Sequence, residues 1–394
     1  MPNSTTDKPR GTANPLALEW ARKQAVYEPE EIEAQLKYPA GTIEGWEKGV
    51  SYPDIDTLRQ LSHIYNIPFS YFFLEEFPAE PEIDVYRLGS LGTLTELSRD
   101  TKLALREFKR LSYIAKMLQE ILGDTTSPKI IKASTDENPE RLARKHAQIL
   151  GVTPENRKKC VSKENAYLMY RNAIEKLNIF VISQSMPSTE CRGAALREES
   201  LATAILINQS DPPTARSFTL FHEYCHLLQS ENNEFLSCDH FPGPDESFSN
   251  SFASSILLPE DEFVDVLKQK KLFGYQQTWS DSKLKELSDE FFVSKDVVAI
   301  RLESLSLADP GFYRMKREHW DRIYGERPAF GRGGGKTKKV YAQYKLGNNL
   351  FNLTLNAVKR GAIHPLYAAI YIGSVRGGKR PWVIKEGDVR SWTA

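Results

Sequence analysis

Residues 216–229 read RSFTLFHEYCHLLQ, and the rest of the chain is best understood from this stretch outward. His222, Glu223 and His226 form an H-E-x-x-H. On a helix, positions i and i+4 share one face, so two imidazoles at this spacing converge on one point. Such a pair holds Zn2+, and Glu223, next to the first imidazole, is placed to act on a water there. Thr219, Leu220, Phe221, Leu227 and Leu228 flank the motif, and neither Pro nor Gly falls between Arg216 and Gln229. These features predict a helix that enters the core. The plain alternative is a core helix that matches by chance, which is improbable in a chain with only seven His.

A catalytic zinc takes a third protein ligand and keeps one position open. Residues 245–260, DESFSNSFASSILLPE, offer Glu246, with Asn250 one helical turn on. Phe248, Phe252 and Ile256 are spaced as the buried stripe of a helix, which puts Glu246 and Asn250 side by side on another face. Glu231, Glu234, Asp239, Asp245 and His240 compete for the ligand role. The first four lie in a polar, Pro-containing connection that reads as loop, so Glu246 is preferred for the rigidity of its helix.

Together the two segments resemble the ImmA/IrrE-type metallo-endopeptidases, whose pattern runs R-x-F-T-L-x-H-E-x-x-H and then E-x-x-A-N-x-F-A-x-x-L-L-x-P. Arg216, Phe218, Thr219 and Leu220 match the first part; Glu246, Asn250, Phe252, Ala253, Leu257, Leu258 and Pro259 match the second. Ser249 stands where the pattern has Ala. The resemblance implies a zincin-like catalytic domain, Glu246 as third zinc ligand, and cleavage of one specific regulatory protein.

The length, 394 residues, suggests two to four domains, and the composition is that of an ordinary soluble protein. No run of about 18 apolar residues exists, so no membrane span is expected. The N-terminus, MPNSTTDKPRGTANP, lacks the apolar stretch of a signal peptide. Cys160, Cys191, Cys225 and Cys238 show no C-x-x-C pairing. A reducing cytoplasm and free thiols are the expectation. The net charge of zero hides an asymmetry: residues 15–80 carry five bases and twelve acids, a net of −7, whereas residues 312–394 carry 17 Lys/Arg and 5 Asp/Glu, a net of +12.

Residues 1–14 read as a disordered tail. Residues 15–80 read as five short helices: Leu16, Trp20 and Ala21 stripe the first, Ile32 and Leu36 the second, and Ile55, Leu58, Leu61 and Ile64 the fourth, with FSYFFL as the fifth. The string from Thr42 to Phe73 resembles XRE-type helix-turn-helix domains. The positions that would meet base edges hold Ala40, Gly41, Glu44 and Gly45, none of which pairs with a base, and the segment is acidic. Protein contact, or covering of the protease, is therefore expected there rather than DNA binding.

Residues 90–135 read as a helical linker with an amphipathic stripe from Leu94 to Ile121. The peptidase domain is set at 136–310, with strands at 179–183, around 192–196 and at 203–208, forming a small three-stranded sheet. An extended substrate would add to an exposed edge of such a sheet. Gly193 is either a site of close backbone approach or a turn glycine. Cys191 reads as a bystander, and Cys225 as a small core residue. Residues 281–306 resemble the small helix-turn-helix appended to this family's core, with Arg301 in its R-L-x-x-L pattern. GGGKT at 333–337 lacks the first phosphate-loop Gly, because that position is Phe330, so nucleotide binding is rejected. Residues 311–394 read as a small basic module; Arg376, Lys379, Arg380 and Trp382 make it the candidate for nucleic acid, although a solvated basic face is favoured.

The fold class is thus α+β and predominantly α, and the reading is a cytoplasmic zinc-dependent endopeptidase acting on a repressor-like protein in a stress or phage-related response. His222, His226 and Glu246 hold Zn2+ and Glu223 is the acid–base group. Asn250, His240, Tyr224 and Arg216 are all candidates to stabilise the transition state. Two rivals stand beside it: a helix-turn-helix regulator with a silent protease fold, and a protease effector of a toxin–antitoxin or antiphage system.

Overall fold

The computed structural model describes residues 12–25, 27–65, 67, 69–74, 97–124, 126–134, 136–229, 234–238, 244–274, 278–324, 337–376 and 381–393. The chain divides into two units, Met1–Glu82 and Ile83–Ala394.

The first unit holds α1 (Pro15–Gln24), α2 (Pro29–Leu36), α3 (Thr42–Glu47), α4 (Ile55–Tyr65) and a 3-10 turn, Phe69–Phe73, where a fifth helix was expected. Asn14 caps α1 through its side chain, and Pro opens α1 and α2. The core is Leu18, Ala21, Ile32, Ile43, Trp46, Leu58, Leu61, Tyr65 and Phe72. Leu16 and Ile55, expected inside, are 60% and 59% exposed. In α1 the small residues Ala17 and Ala21 face inward beside Leu18, so close helix approach decided the face, not residue size. A nearly buried pair, Arg22 with Glu47, ties α1 to α3 through two bonds of 2.7 and 2.9 Å. Glu33 accepts from the Ile43 amide at the start of α3, where Gly41 has no side chain to cap with.

The second unit runs α5 (Arg99–Ile121), α6 (Pro139–Leu150), α7 (Pro154–Lys158), α8 (Lys163–Glu175), β1 (Phe180–Gln184), β2 (Gly193–Arg197), β3 (Ala204–Asn208), α9 (Pro213–Gln229), β4 (Glu234–Cys238), α10 (Pro244–Leu257), α11 (Glu260–Gln269), α12 (Asp281–Glu290), α13 (Lys295–Ser304), α14 (Phe312–Tyr324), α15 (Lys338–Lys359), α16 (Pro365–Ile372), β5 (Ser374–Arg376), β6 (Pro381–Val383) and α17 (Glu386–Thr393). The main sheet has four strands in the order β1-β3-β2-β4, one more than the sequence suggested. The extra strand, β4, lies in the polar connection read as loop; it pairs antiparallel with β2 from Gly193↔Cys238 to Arg197↔Glu234. Its pairing is non-local, which a strand of mixed polarity does not announce. β1 and β3 are parallel, and β2 and β3 antiparallel.

Both faces of β1, β2 and β3 are covered, which is why β1 and β3 read as unbroken apolar runs. Val181, Ala195, Ile205 and Ile207 face a core built on α8, α9, α10, α12 and α13. Phe180, Ile182, Ala194, Leu196, Ala204 and Leu206 face a second core supplied by α5, α15, α16 and α17. The segments read as a linker (90–135) and a separate basic module (311–394) thus share a core with the main sheet. Their apolar stripes, including Phe108, Leu111 and Leu118 of α5 and Leu346, Leu350 and Phe351 of α15, close on the sheet rather than on each other alone.

The α15 helix breaks at Gly347, which has φ 77° and ψ 168°. That conformation belongs essentially to glycine. The break abuts the β1 edge: a Cβ there would overlap Glu175 Oε1 and lie 2.7 Å from the Val181 carbonyl oxygen. Arg171 fills the joint, donating to the Tyr344 carbonyl at 2.7 Å and to the Val181 carbonyl. Burial pushes Glu175 above the usual carboxylate range, against the pull of Arg171 and the amides of Asn348 and Asn349. Among the described residues no helix is long and apolar enough to cross a membrane.

Candidate functional site

The α9 helix is buried along almost its whole length, because it lies between the sheet and α6, α8 and α10. His222 and His226 are 3% and 8% exposed, and Glu223 is fully buried. The two imidazoles turn the same edge toward one point, with Nε2 to Nε2 at 3.0 Å. A tetrahedral zinc with Zn–N bonds of ~2.05 Å asks for a separation of about 3.3 Å, so the pair fits one metal. His222 Nδ1 lies 3.0 Å from Asn250 Oδ1. An amide oxygen only accepts, so Nδ1 carries the proton and Nε2 presents its lone pair. The sequence placed Asn250 beside the site; the structure gives it the task of orienting His222.

Glu223 is set by the strand beneath it. A Cβ at Gly193, the first residue of β2, would overlap Thr219 Cγ2 and lie 3.1 Å from Glu223 Cγ. Gly193 therefore allows α9 to rest against the strand. It is neither a turn glycine nor a place where a substrate backbone could pair, because β2 is already paired on both sides, by β3 and β4.

The α10 helix, which carries Glu246 and Asn250, is pinned at its C-terminal end by two buried arginines. Arg157 donates to the Ile256 carbonyl at 3.2 Å and pairs with Glu262. Arg301 donates to the Leu258 carbonyl at 2.7 Å and pairs with Glu140 at 2.6 Å. Cations at the negative end of a helix are favourable, and here they also fix its axial position. Arg301 thus serves the scaffold. Farther along, Tyr224 and His146 Nδ1 meet at 2.8 Å against Phe252, joining α9, α6 and α10. Burial holds His146 down at about 4, so it stays neutral in that joint. His146 and Arg157 carry no signal in the sequence, since their partners lie 78 and 99 residues away.

Two of the transition-state candidates are committed elsewhere. The hydroxyl of Tyr224 is turned to His146, and Arg216 donates to the Asp211 carbonyl and to Glu164 while stacking on Tyr167 at 4.7 Å. Cys191 is buried in the second core and Cys225 in the first, consistent with packing roles. Glu246 sits one turn before Asn250 in α10, and Asp245 beside it; of their side chains, and of Glu234 in β4, the structure describes nothing. Glu231, Asp239 and His240 lie outside the described residues. Among the described residues no group of three His, Cys, Asp or Glu converges on one point.

A family model, Peptidase_M78, described as the IrrE N-terminal-like domain, matches residues 174–303. The match covers β1 to α13 and includes His222, Glu223, His226, Glu246 and Asn250. It supports a metallopeptidase-type fold for that part of the chain and implies a metal. No curated protein and no solved structure matches the chain.

Proposed function

We propose that this protein is a zinc-dependent endopeptidase that cuts one regulatory protein, of the repressor kind, at a defined site. The observation that carries the reading is the pair of imidazoles with Nε2 atoms 3.0 Å apart, one of them oriented by Asn250. His222 and His226 would hold the zinc, with Glu246, one turn from Asn250, as third ligand. When bound, a zinc ion polarises a carbonyl and makes water more acidic. Glu223 takes the proton from the attacking water on a carboxylate oxygen and delivers it to the leaving amine nitrogen. Its burial against Gly193 keeps the carboxylate in one place for both transfers. Among the described residues the outer edge of β4 has no paired strand, so an extended substrate segment has backbone groups to pair with there.

The test is co-expression with candidate regulatory proteins, wild type beside Glu223→Gln and Asn250→Ala. Glu223→Gln should keep one zinc per chain and lose about 100-fold or more in cleavage rate. Asn250→Ala should bind zinc about 10- to 100-fold more weakly, since it removes the group that orients a ligand. Cleavage at the wild-type rate by Glu223→Gln refutes the role given to Glu223, and absence of cleavage by the wild type itself restores the silent regulator.

Nucleic-acid binding by the basic C-terminal region has less support. Lys316, Arg317, Lys338, Lys345 and Arg390 are each paired with a carboxylate. Lys379 and Arg380 lie outside the described residues, and the side chains of Arg376 and Trp382 are not described.

A further inference from the structure

In α9 the residues that are not buried are Ala215, Phe218 and Gln229. With the two metal-site histidines they form one line, 215, 218, 222, 226, 229, at steps of three and four, which is a single face of a helix. The face of α9 that carries the imidazoles is therefore also the face that reaches solvent. It is not symmetric about them. On one side lie Ala215 and Phe218, and on the other Gln229, whose side-chain oxygen accepts from Ser249 at 3.5 Å.

Phe218 is half-buried, its ring packed partly on the first core and tilted 41° to the His222 ring at 6.1 Å between centroids. A large apolar ring left partly in water beside a metal-ligand pair has surface still to cover. Ala215, three residues earlier on the same face, is small and leaves room along the helix. Arg216, the charged residue between them in sequence, is turned inward to Glu164 and the Asp211 carbonyl. A charged substrate side chain laid on Ala215 and Phe218 would lose hydration without gaining a partner from α9.

We infer that Phe218 determines specificity: with Ala215 it forms a wall of the subsite for a residue flanking the scissile bond, and it selects a large aliphatic or aromatic side chain there. The inference rests on the peptidase reading and deepens it. The ring covers an aliphatic side chain, or stacks offset against an aromatic one, as the carbonyl comes to the imidazole pair.

The experiment uses the full zinc-loaded chain and a peptide mixture randomised around a central position, with cut sites read by mass spectrometry. Kd is measured in parallel for peptides differing only at that position, bound to the Glu223→Gln protein, which reads recognition without turnover. Wild type should cut beside Leu, Ile, Met or Phe. In Phe218→Ala the ratio of kcat/KM for large over small apolar side chains should fall by about tenfold or more, and Kd should follow the same order. Phe218→Leu should fall between the two, with zinc content unchanged in both variants. A uniform loss over all peptides would show that Phe218 only packs against His222, and an unchanged profile would show no role; either overturns the inference while leaving the peptidase standing. Absence of any Glu223-dependent cutting, together with Kd values indifferent to the side chain, overturns both.

Discussion

The acidic segment at the start of the chain and the basic segment at its end look alike on paper: each is short, largely helical and strongly charged. The first closes a core of its own, from Leu18 to Phe72. The last does not, because the apolar faces of α15 and α16 complete the second face of the main sheet. Charge balance thus says little about domain independence. What decides it is whether the apolar stripes of a segment can be satisfied within that segment.

Deletion is the harshest way to break this comparison. Removing residues 337–394 should strip one cover from the sheet and abolish the cooperative melting of the second unit. Removing residues 1–82 should leave that transition where it was. Equal tolerance of both deletions, by circular dichroism melts and limited proteolysis, would dissolve the contrast.

Single core truncations come next. Phe351→Ala in α15 should cost about 3–5 kcal/mol and lower the melting of the second unit, although the residue lies far in sequence from the histidines. Trp46→Ala should cost a similar amount, about 3–5 kcal/mol, but from a unit small enough that the loss unfolds it alone. Two separate calorimetric transitions, each sensitive to only one variant, are the expected outcome.

The glycines sharpen the same point. Gly347→Ala meets both an unfavourable backbone and the Glu175–Arg171 joint, and should cost about 3 kcal/mol or more. Gly41→Ala, with φ 82° but open space around it, should cost about 1 kcal/mol. Comparable denaturation midpoints for the two would argue that the joint at α15 is loose.

The remaining effects are electrostatic and depend on pH and salt. Burial alone would raise Glu107 in α5, but Arg110 and Lys345 outweigh it and hold the carboxyl down at about 2. A depressed folded pKa stabilises at pH above the unfolded value and is lost as pH falls, here from about 4.5 toward 2. Glu107→Gln should remove about 2 kcal/mol at neutral pH and nothing near pH 2. In the N-terminal unit Glu44 is also held low, by its hydrogen bond and charge contact with Lys48, but both side chains are exposed. Lys48→Ala should leave the melting midpoint of that unit unmoved, and its salt dependence slight.

The candidate site could be named from the sequence because its signals are local. H-E-x-x-H spacing, the run of apolar residues around it, and the turn separating Glu246 from Asn250 are all helix periodicities, and a helix obeys them wherever it packs. The same holds for most helices of the second unit and for β1 and β3, whose apolar runs need no partner to be recognised. Tertiary structure alone decided what depends on distant partners. It made the fourth strand, because β4 exists only by pairing with β2. It set Asn250 on His222, and placed Gly193 under Glu223. It recruited Arg157 and Arg301 to the end of α10, and folded α15 onto a sheet that lies far earlier in the chain. Periodicity tells which face of an element is apolar, but the identity of the surface it meets is fixed only when the whole chain is packed.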